Sequence, residues 1–222
     1  MGARTSTVVP SLPNRLFKES HTDARLLPAT KFFLDIIVAS IILLLLAPLL
    51  TLIILLIRID SPGPVLFRQT RTGLQGKKFQ IYKFRTMTVQ ENGDVISQVT
   101  RDDARMTRIG RLLRKMSIDE LPQLLNVLKG EMSLVGPRPH ALAHDEYYGQ
   151  RIPDYGKRFI VRPGITGWAQ VNGARGPTPR LADMERRIEL DIWYIQNASL
   201  FLDTRILLRT IANELMCRTD AF

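Results

Sequence analysis

The chain has 222 residues and a formal charge of +10, with a single cysteine, Cys217. One cysteine excludes a disulfide framework or a cysteine-based zinc site within the chain. The charge leaves three classes of partner: nucleic acid, anionic lipid, or an anionic substrate. The length suits one domain of roughly 150–200 residues plus a tail.

Residues 1–30 are polar, carry Pro10, Pro13 and Pro28, and read as a tail. Residues 32–57 follow, 26 residues with one charge, Asp35, and mostly Leu and Ile. That length and hydropathy mark a membrane segment rather than a buried core helix. A cleavable signal peptide fits poorly, because a long polar stretch precedes the segment and no small-residue cleavage site follows. Pro48 divides the segment into pieces of about 24 and 14 Å, each short of the ~30 Å hydrocarbon core. Both flanks are basic: Arg15, Lys18, Arg25 and Lys31 before it, and Arg58, Arg68, Arg71 and Lys77 after it. The positive-inside rule then cannot orient a spanning helix, but it is satisfied by one that kinks at Pro48 and returns to the same face. The expected organisation is a 1–30 cytoplasmic tail, a 31–58 re-entrant membrane helix, and a 59–222 domain seated on the membrane. A kinked spanning helix is the alternative. With a membrane segment present, lipid and substrate share the positive charge naturally.

Asp60-Ser61-Pro62-Gly63-Pro64 is a turn cluster that stops a helix. Residues 65–69 and 79–86 read as two short strands joined through Gly73-Leu74-Gln75-Gly76. Alternation in the second places Lys83 and Arg85 on one face. Residues 91–103 are polar and loop-like. Residues 104–116 repeat Ile109, Leu112, Leu113 and Met116 at helical spacing, with Arg105, Arg108, Arg111 and Lys115 largely off that face. Such a basic amphipathic helix suits a membrane interface, and its stripe equally suits the core.

Next comes Ser117-Ile118-Asp119-Glu120-Leu121-Pro122-Gln123-Leu124. Proline belongs near a helix start, so a helix through residues 124–128 should begin near Asp119. Asp119 would then sit at the positive end of the helix dipole, which favours its charged form. Ser117-x-x-Glu120 also fits a capping box that needs no chemistry, although Glu120 at that position would leave Pro122 too deep in the helix. Gly130 ends the helix. Gly136-Pro137-Arg138-Pro139 presents an arginine between two prolines, and with the upstream cations it suits a diphosphate.

His140 and His144 have the spacing of two metal ligands on one helix face, without a third ligand at a recognised spacing. Residues 162–170 are a turn-rich loop entering a short strand, and residues 181–196 and 201–217 read as helices. No P-loop or G-x-G-x-x-G fingerprint is present. The basic residues are spread over several elements without a nucleic-acid motif, so no nucleic-acid partner is expected.

With these residues laid out, the chain resembles the bacterial sugar transferase family, the monotopic phosphoglycosyl transferases. The matching segments are Tyr82-Lys83-Phe84-Arg85-Thr86-Met87, residues 109–116, Ser117 to Leu124, Leu134 to Pro139, and Arg162 to Gln170, all in the family's order. The resemblance implies an α+β, mostly helical fold with a small sheet and a re-entrant membrane helix broken near a proline. It also implies transfer of a sugar-1-phosphate from a UDP-sugar to undecaprenyl phosphate on the cytoplasmic face of the bacterial inner membrane, releasing UMP. Asp119 would be the nucleophile and carry the phosphosugar, while Glu120, with Asp119, would hold Mg²⁺. Arg114 and Arg138 would clamp phosphate, Lys83 and Arg85 would assist, and the loop from Arg162 to Gln170 would contact nucleotide or sugar. The histidine-containing segment after Arg138 and Gly167-Trp168-Ala169-Gln170-Val171-Asn172-Gly173 look most like the hexose-transferring subgroup, glucose first and galactose second. Larger members carry further N-terminal spans, so this chain looks like the compact catalytic form, and it allows a homodimer. A non-catalytic membrane tether for an acidic partner is the reading from a different class. The Asp119-Glu120 pair discriminates against it, since a scaffold does not need one.

Overall fold

The computed structural model describes residues 27–88 and 103–216. The expectations for residues 1–26 and 89–102, and for Cys217, lie outside the described residues.

The apolar segment forms one helix, α1 (Leu27–Asp60), 34 residues long with Pro48 inside it. It is long and apolar enough to cross a membrane. The two expected pieces belong to one helix that runs on through the proline. Proline removes one backbone donor, and Thr51 Oγ1 bonds back to the Ala47 carbonyl at 2.9 Å beside it. Both ends of α1 are fastened to the same body. Near its start, Lys31 pairs with Asp203 at 2.5 Å, and the Ser133 hydroxyl donates to Asp35 at 2.6 Å. Near its end, Ile53 and Ile57 bury against Phe84 and Leu113, and Asp60 accepts from the Ile109 N–H at 3.1 Å. Between them, Leu44 and Leu45 are 77% and 73% exposed.

Strands β1 (Leu66–Thr72) and β2 (Lys78–Phe84) form an antiparallel hairpin in which Leu66 faces Phe84 and Thr72 faces Lys78. Helix α2 (Arg108–Lys115) is shorter than expected and starts at Thr107, whose hydroxyl accepts from the Gly110 N–H at 2.9 Å. Its apolar stripe divides: Leu113 is buried, while Leu112 and Met116 are exposed. Helix α3 (Leu124–Leu128) leads to β3 (Ser133–Val135), which pairs in parallel with β4 (Gly164–Thr166). The described residues thus hold two two-stranded sheets rather than one. Helix α4 (Leu142–Gly149) lies between them in sequence. The short helix α5 (Trp168–Val171) follows β4, so the expected strand lies inside the 162–170 loop rather than after it. Helices α6 (Leu181–Asn197) and α7 (Leu200–Leu215) close the chain. The main core joins Ala39 of α1 to Val127, Leu134, Tyr194 and Ile206.

Candidate active site

The acidic pair lies on a 3-10 segment, Ile118–Gln123, between α2 and α3. The helix expected to start at Asp119 starts at Leu124 instead, because the tighter 3-10 turn accommodates Pro122. Neither the helix-dipole role for Asp119 nor the capping box is realised. Ser117 stands in the left-handed region (φ 54°) and makes no side-chain cap. Its hydroxyl instead accepts from Arg175 Nη2 at 2.8 Å.

The two carboxylates have different surroundings. Glu120 is gripped by cations from two distant segments. Lys83 Nζ, on β2, donates to its Oε1 at 2.9 Å, and Arg138 binds both oxygens, through Nη1 at 2.8 Å and through Nη2. Burial alone would raise the Glu120 carboxyl, but the Arg138 and Lys83 charges and hydrogen bonds hold it well below the usual carboxylate range. Asp119 is buried at 7% exposure and has no ion-pair partner among the described residues. Burial first, and then the Glu120 charge, push it up to about 6; Lys83, Arg114 and Arg138 oppose this from further off. The expectation that its surroundings would favour the charged form of Asp119 is therefore not met: desolvation outweighs the neighbouring cations and makes it a weaker acid.

Arg138 is placed by close backbone contact between two motifs. A Cβ on Gly164 would come within 2.1 Å of the Gly136 nitrogen, and one on Gly167 within 2.2 Å of the Gly136 oxygen. Only glycines allow β3 and β4 to approach this way. Gly136 N–H then donates to Thr166 O, and Gly164 N–H to Pro137 O, each at 2.9 Å. Arg158 finishes the placement: its Nη2 donates to the Arg138 carbonyl, and its Nε pairs with Asp191 at 2.9 Å in full burial.

Of the predicted site residues, the structure brings Asp119, Glu120, Lys83 and Arg138 together. Arg114 lies close enough to act on Asp119 electrostatically while its Nε donates to Thr86 Oγ1 at 2.9 Å. The other three have different partners. Arg85 lies past the end of β2, is 3% exposed, and donates to the Ser61 carbonyl and hydroxyl at the end of α1. Arg162 donates to Gly130 O at 2.9 Å, and its guanidinium lies 4.6 Å from the Phe32 ring centroid. Gln170 donates within its own loop, to Ile165 O at 3.2 Å. The Arg162 to Gln170 loop thus supports Arg138 through its glycines.

The two histidines do not share a helix face. His140 precedes α4 and lies 2.7 Å from the Tyr155 hydroxyl. Among the described residues no group of three or more His, Cys, Asp or Glu converges. Sequence reasoning missed Arg71, on β1, and Arg187, on α6, which line a cavity with Lys83 and Arg138. For Arg187 a signal existed: it falls at helical spacing with the buried Met184, Ile188 and Asp191.

Chemically this is a site that attracts anionic groups beside a long apolar helix. The chain belongs to the bacterial sugar transferase family, whose model matches residues 27–217. It is 57% identical over 185 residues to the UDP-glucose:undecaprenyl-phosphate glucose-1-phosphate transferase of Caulobacter vibrioides, covering 83% of this chain and 69% of that protein. It is 52% identical over 177 residues to the Escherichia coli (strain K12) protein of the same name, covering 80% of this chain but 38% of that protein. The exopolysaccharide production protein PSS of Rhizobium leguminosarum is 48% identical over 186 residues, covering 82% of this chain and 92% of that protein.

Proposed function

We propose that this chain transfers glucose-1-phosphate from UDP-glucose to undecaprenyl phosphate, releasing UMP, as an opening step of exopolysaccharide assembly. The observation that carries the reading is the asymmetry of the pair: Glu120 is locked by Arg138 and Lys83, and Asp119 is desolvated and left unpaired. A buried carboxylate titrating near 6 remains mostly ionised at neutral pH, yet is more basic and less shielded than a solvated one, as suits a nucleophile. In the first half-reaction an Asp119 oxygen bonds to the sugar-proximal phosphorus and the phosphorus–oxygen bond to UMP breaks. In the second, an oxygen of undecaprenyl phosphate bonds to the same phosphorus and the bond to Asp119 breaks. Splitting the transfer this way avoids bringing two anionic substrates together at once. Glucose stands ahead of galactose because the Caulobacter and Escherichia relatives are named for it.

Magnesium takes one or two carboxylates and completes its shell with phosphate oxygens and water. The pair fits that requirement: Asp119 is unpaired, and Glu120 Oε2 accepts one bond, from Arg138 Nη1. Bound there, the ion would neutralise charge on the departing phosphate. Helix α1 enters and leaves the membrane on the cytoplasmic face. This is supported by the anchoring of both its ends to one body and by the exposure of Leu44 and Leu45 between them. Cysteine labels near Lys31 and near Lys77 should react from the same side of sealed vesicles; opposite sidedness would make α1 a span.

The deciding experiment incubates detergent-solubilised protein with undecaprenyl phosphate, Mg²⁺ and a panel of UDP-sugars. UMP should form with UDP-glucose, fall about a thousandfold or more in Asp119→Asn, and stop on chelation. Mg²⁺ should also raise the melting temperature of the wild type more than that of Glu120→Gln. UDP as the product would mean direct glycosyl transfer and would overturn the mechanism.

A further inference from the structure

The cavity that Lys83 and Arg138 share with Arg71 and Arg187 has a volume of 140 Å³. Its charged wall is these four cations, joined by His140 and His144, and no carboxylate lines it. Burial first, and neighbouring arginine charges next, hold both imidazoles below their usual value, so they are neutral at pH 7. Lys83 and Arg138 have Glu120 as counter-charge. Arg71 and Arg187 pair with no carboxylate among the described residues. The acids that act on them from further off have other bonds: Glu120 to Lys83 and Arg138, Asp145 through Oδ1 to Tyr155, and Asp191 to Arg158.

Arg71 is the less satisfied of the two. Its Nη2 donates to Gln69 Oε1, its Nη1 only reaches the Pro139 carbonyl at 3.5 Å, and its Nε is sealed from solvent without a partner. Arg187 donates through Nε to Ala174 O at 2.8 Å and through Nη2 to Gly176 O. Burial, and then the charge of Arg138, lower both guanidinium groups to about 10. A buried polar group left unbonded calls for a partner, and for a guanidinium facing a cation-lined cavity that partner is an oxyanion.

We infer that Arg71 and Arg187 form a phosphate subsite that holds the phosphate leaving with the nucleotide, while the transferred phosphate lies between Arg138 and Asp119. The inference rests on the phosphosugar-transfer reading above. The lipid acceptor also carries a phosphate, but neither α1 nor α2 contributes a lining residue, and only Ile81 and Pro139 are apolar. The cavity accepts a phosphate with water and has no wall for a prenyl chain, which favours the soluble nucleotide.

The test is titration of UMP, and separately of uridine, into the detergent-solubilised full chain. Arg71→Gln and Arg187→Gln should each weaken UMP about 10- to 100-fold, the loss expected for a charge-assisted bond, and leave uridine unchanged. Arg71→Lys, which keeps the charge and guards against a folding defect, should recover part of the loss. In turnover, KM for the UDP-sugar should rise and KM for undecaprenyl phosphate should stay. Wild-type UMP affinity in both Gln variants would overturn the subsite, as would equal losses for UMP and uridine. A rise in acceptor KM with UMP binding unmoved would give the cavity to the lipid phosphate and overturn the assignment. Failure of the wild type to form UMP from any UDP-sugar would instead be a failure of the transferase reading.

Discussion

Arg138 stands between two buried clusters that handle charge differently. Behind its carbonyl, Arg158 and Asp191 pair at 2.9 Å with both side chains 2% exposed. The remaining guanidinium donors of Arg158 meet His140, Tyr155 and the Arg138 carbonyl. In front of its guanidinium, Lys83 and Arg138 both attach to Glu120, and Asp119 beside it receives neither. The first cluster closes its charge account and fixes backbone. The second leaves one carboxylate buried without an ion-pair partner among the described residues, free to meet a substrate phosphorus. The two also differ in how they hold Arg138, since Arg158 meets it through its main-chain carbonyl whereas Glu120 meets it side chain to side chain.

Breaking the closed cluster should have the largest effect on stability. Asp191→Asn leaves Arg158 charged and unpaired in full burial, which costs about 3–5 kcal/mol. For a body of this size each kcal/mol moves the melting point by roughly 2–4 °C, so thermal unfolding in detergent reads it directly. Activity should fall with it, because the Arg138 backbone loses its brace. A melt within a degree or two of wild type would mean that the pair contributes no net stability.

The open cluster should respond in the opposite sense. Asp119 titrates near 6 in the folded chain against an ordinary 3.8. A raised carboxyl means that the folded state binds the proton more tightly than the unfolded state. Stability is therefore unaffected below about pH 4, falls as pH rises from about 4 to 6, and stays lower above that, by about 2–3 kcal/mol. Asp119→Asn removes the ionisation and should melt higher than wild type at pH 8, with the two converging near pH 4. A variant less stable than wild type at pH 8 would show that the Asp119 charge is compensated. Glu120 has the reverse sign: its stabilisation is present at neutral pH and is lost in acid as the carboxyl is finally protonated.

Much of the open cluster was legible in the sequence, and little of the closed one. Asp119-Glu120 and the proline-flanked Arg138 are contiguous signals, and Lys83 follows from strand alternation. The same alternation misassigned Arg85, because β2 ends at Phe84 and the next side chain turns to the end of α1. Alternation gives a face, not a partner. Gly136, Gly164 and Gly167 read as turn formers, yet they serve to let two strands touch, a relation between segments far apart in the chain. Arg71 and Arg187 escaped for the same reason: one lies in the hairpin and the other on α6, and only folding brings them to one cavity. The apolar run marked a long helix, which extends beyond the expected 31–58 at both ends, to Leu27 and Asp60.

The smallest expected effect supplies the sharpest control, and it sits one residue away from Arg158. Lys157 pairs with Asp154 at 2.9 Å, the same separation as Arg158 and Asp191, but with side chains 48% and 54% exposed. Water screens this pair, and holding a lysine in one geometry costs side-chain entropy, so the net is small. Lys157→Ala should change stability by no more than about 0.5 kcal/mol. Neither ion of this pair is stranded in a dry interior when the other is removed, as Arg158 is when Asp191 is replaced. The same melts therefore compare two neighbouring cations at one bond length and two depths. If Lys157→Ala costs as much as Asp191→Asn, distance rather than burial governs these pairs, and the contrast drawn across Arg138 fails with it.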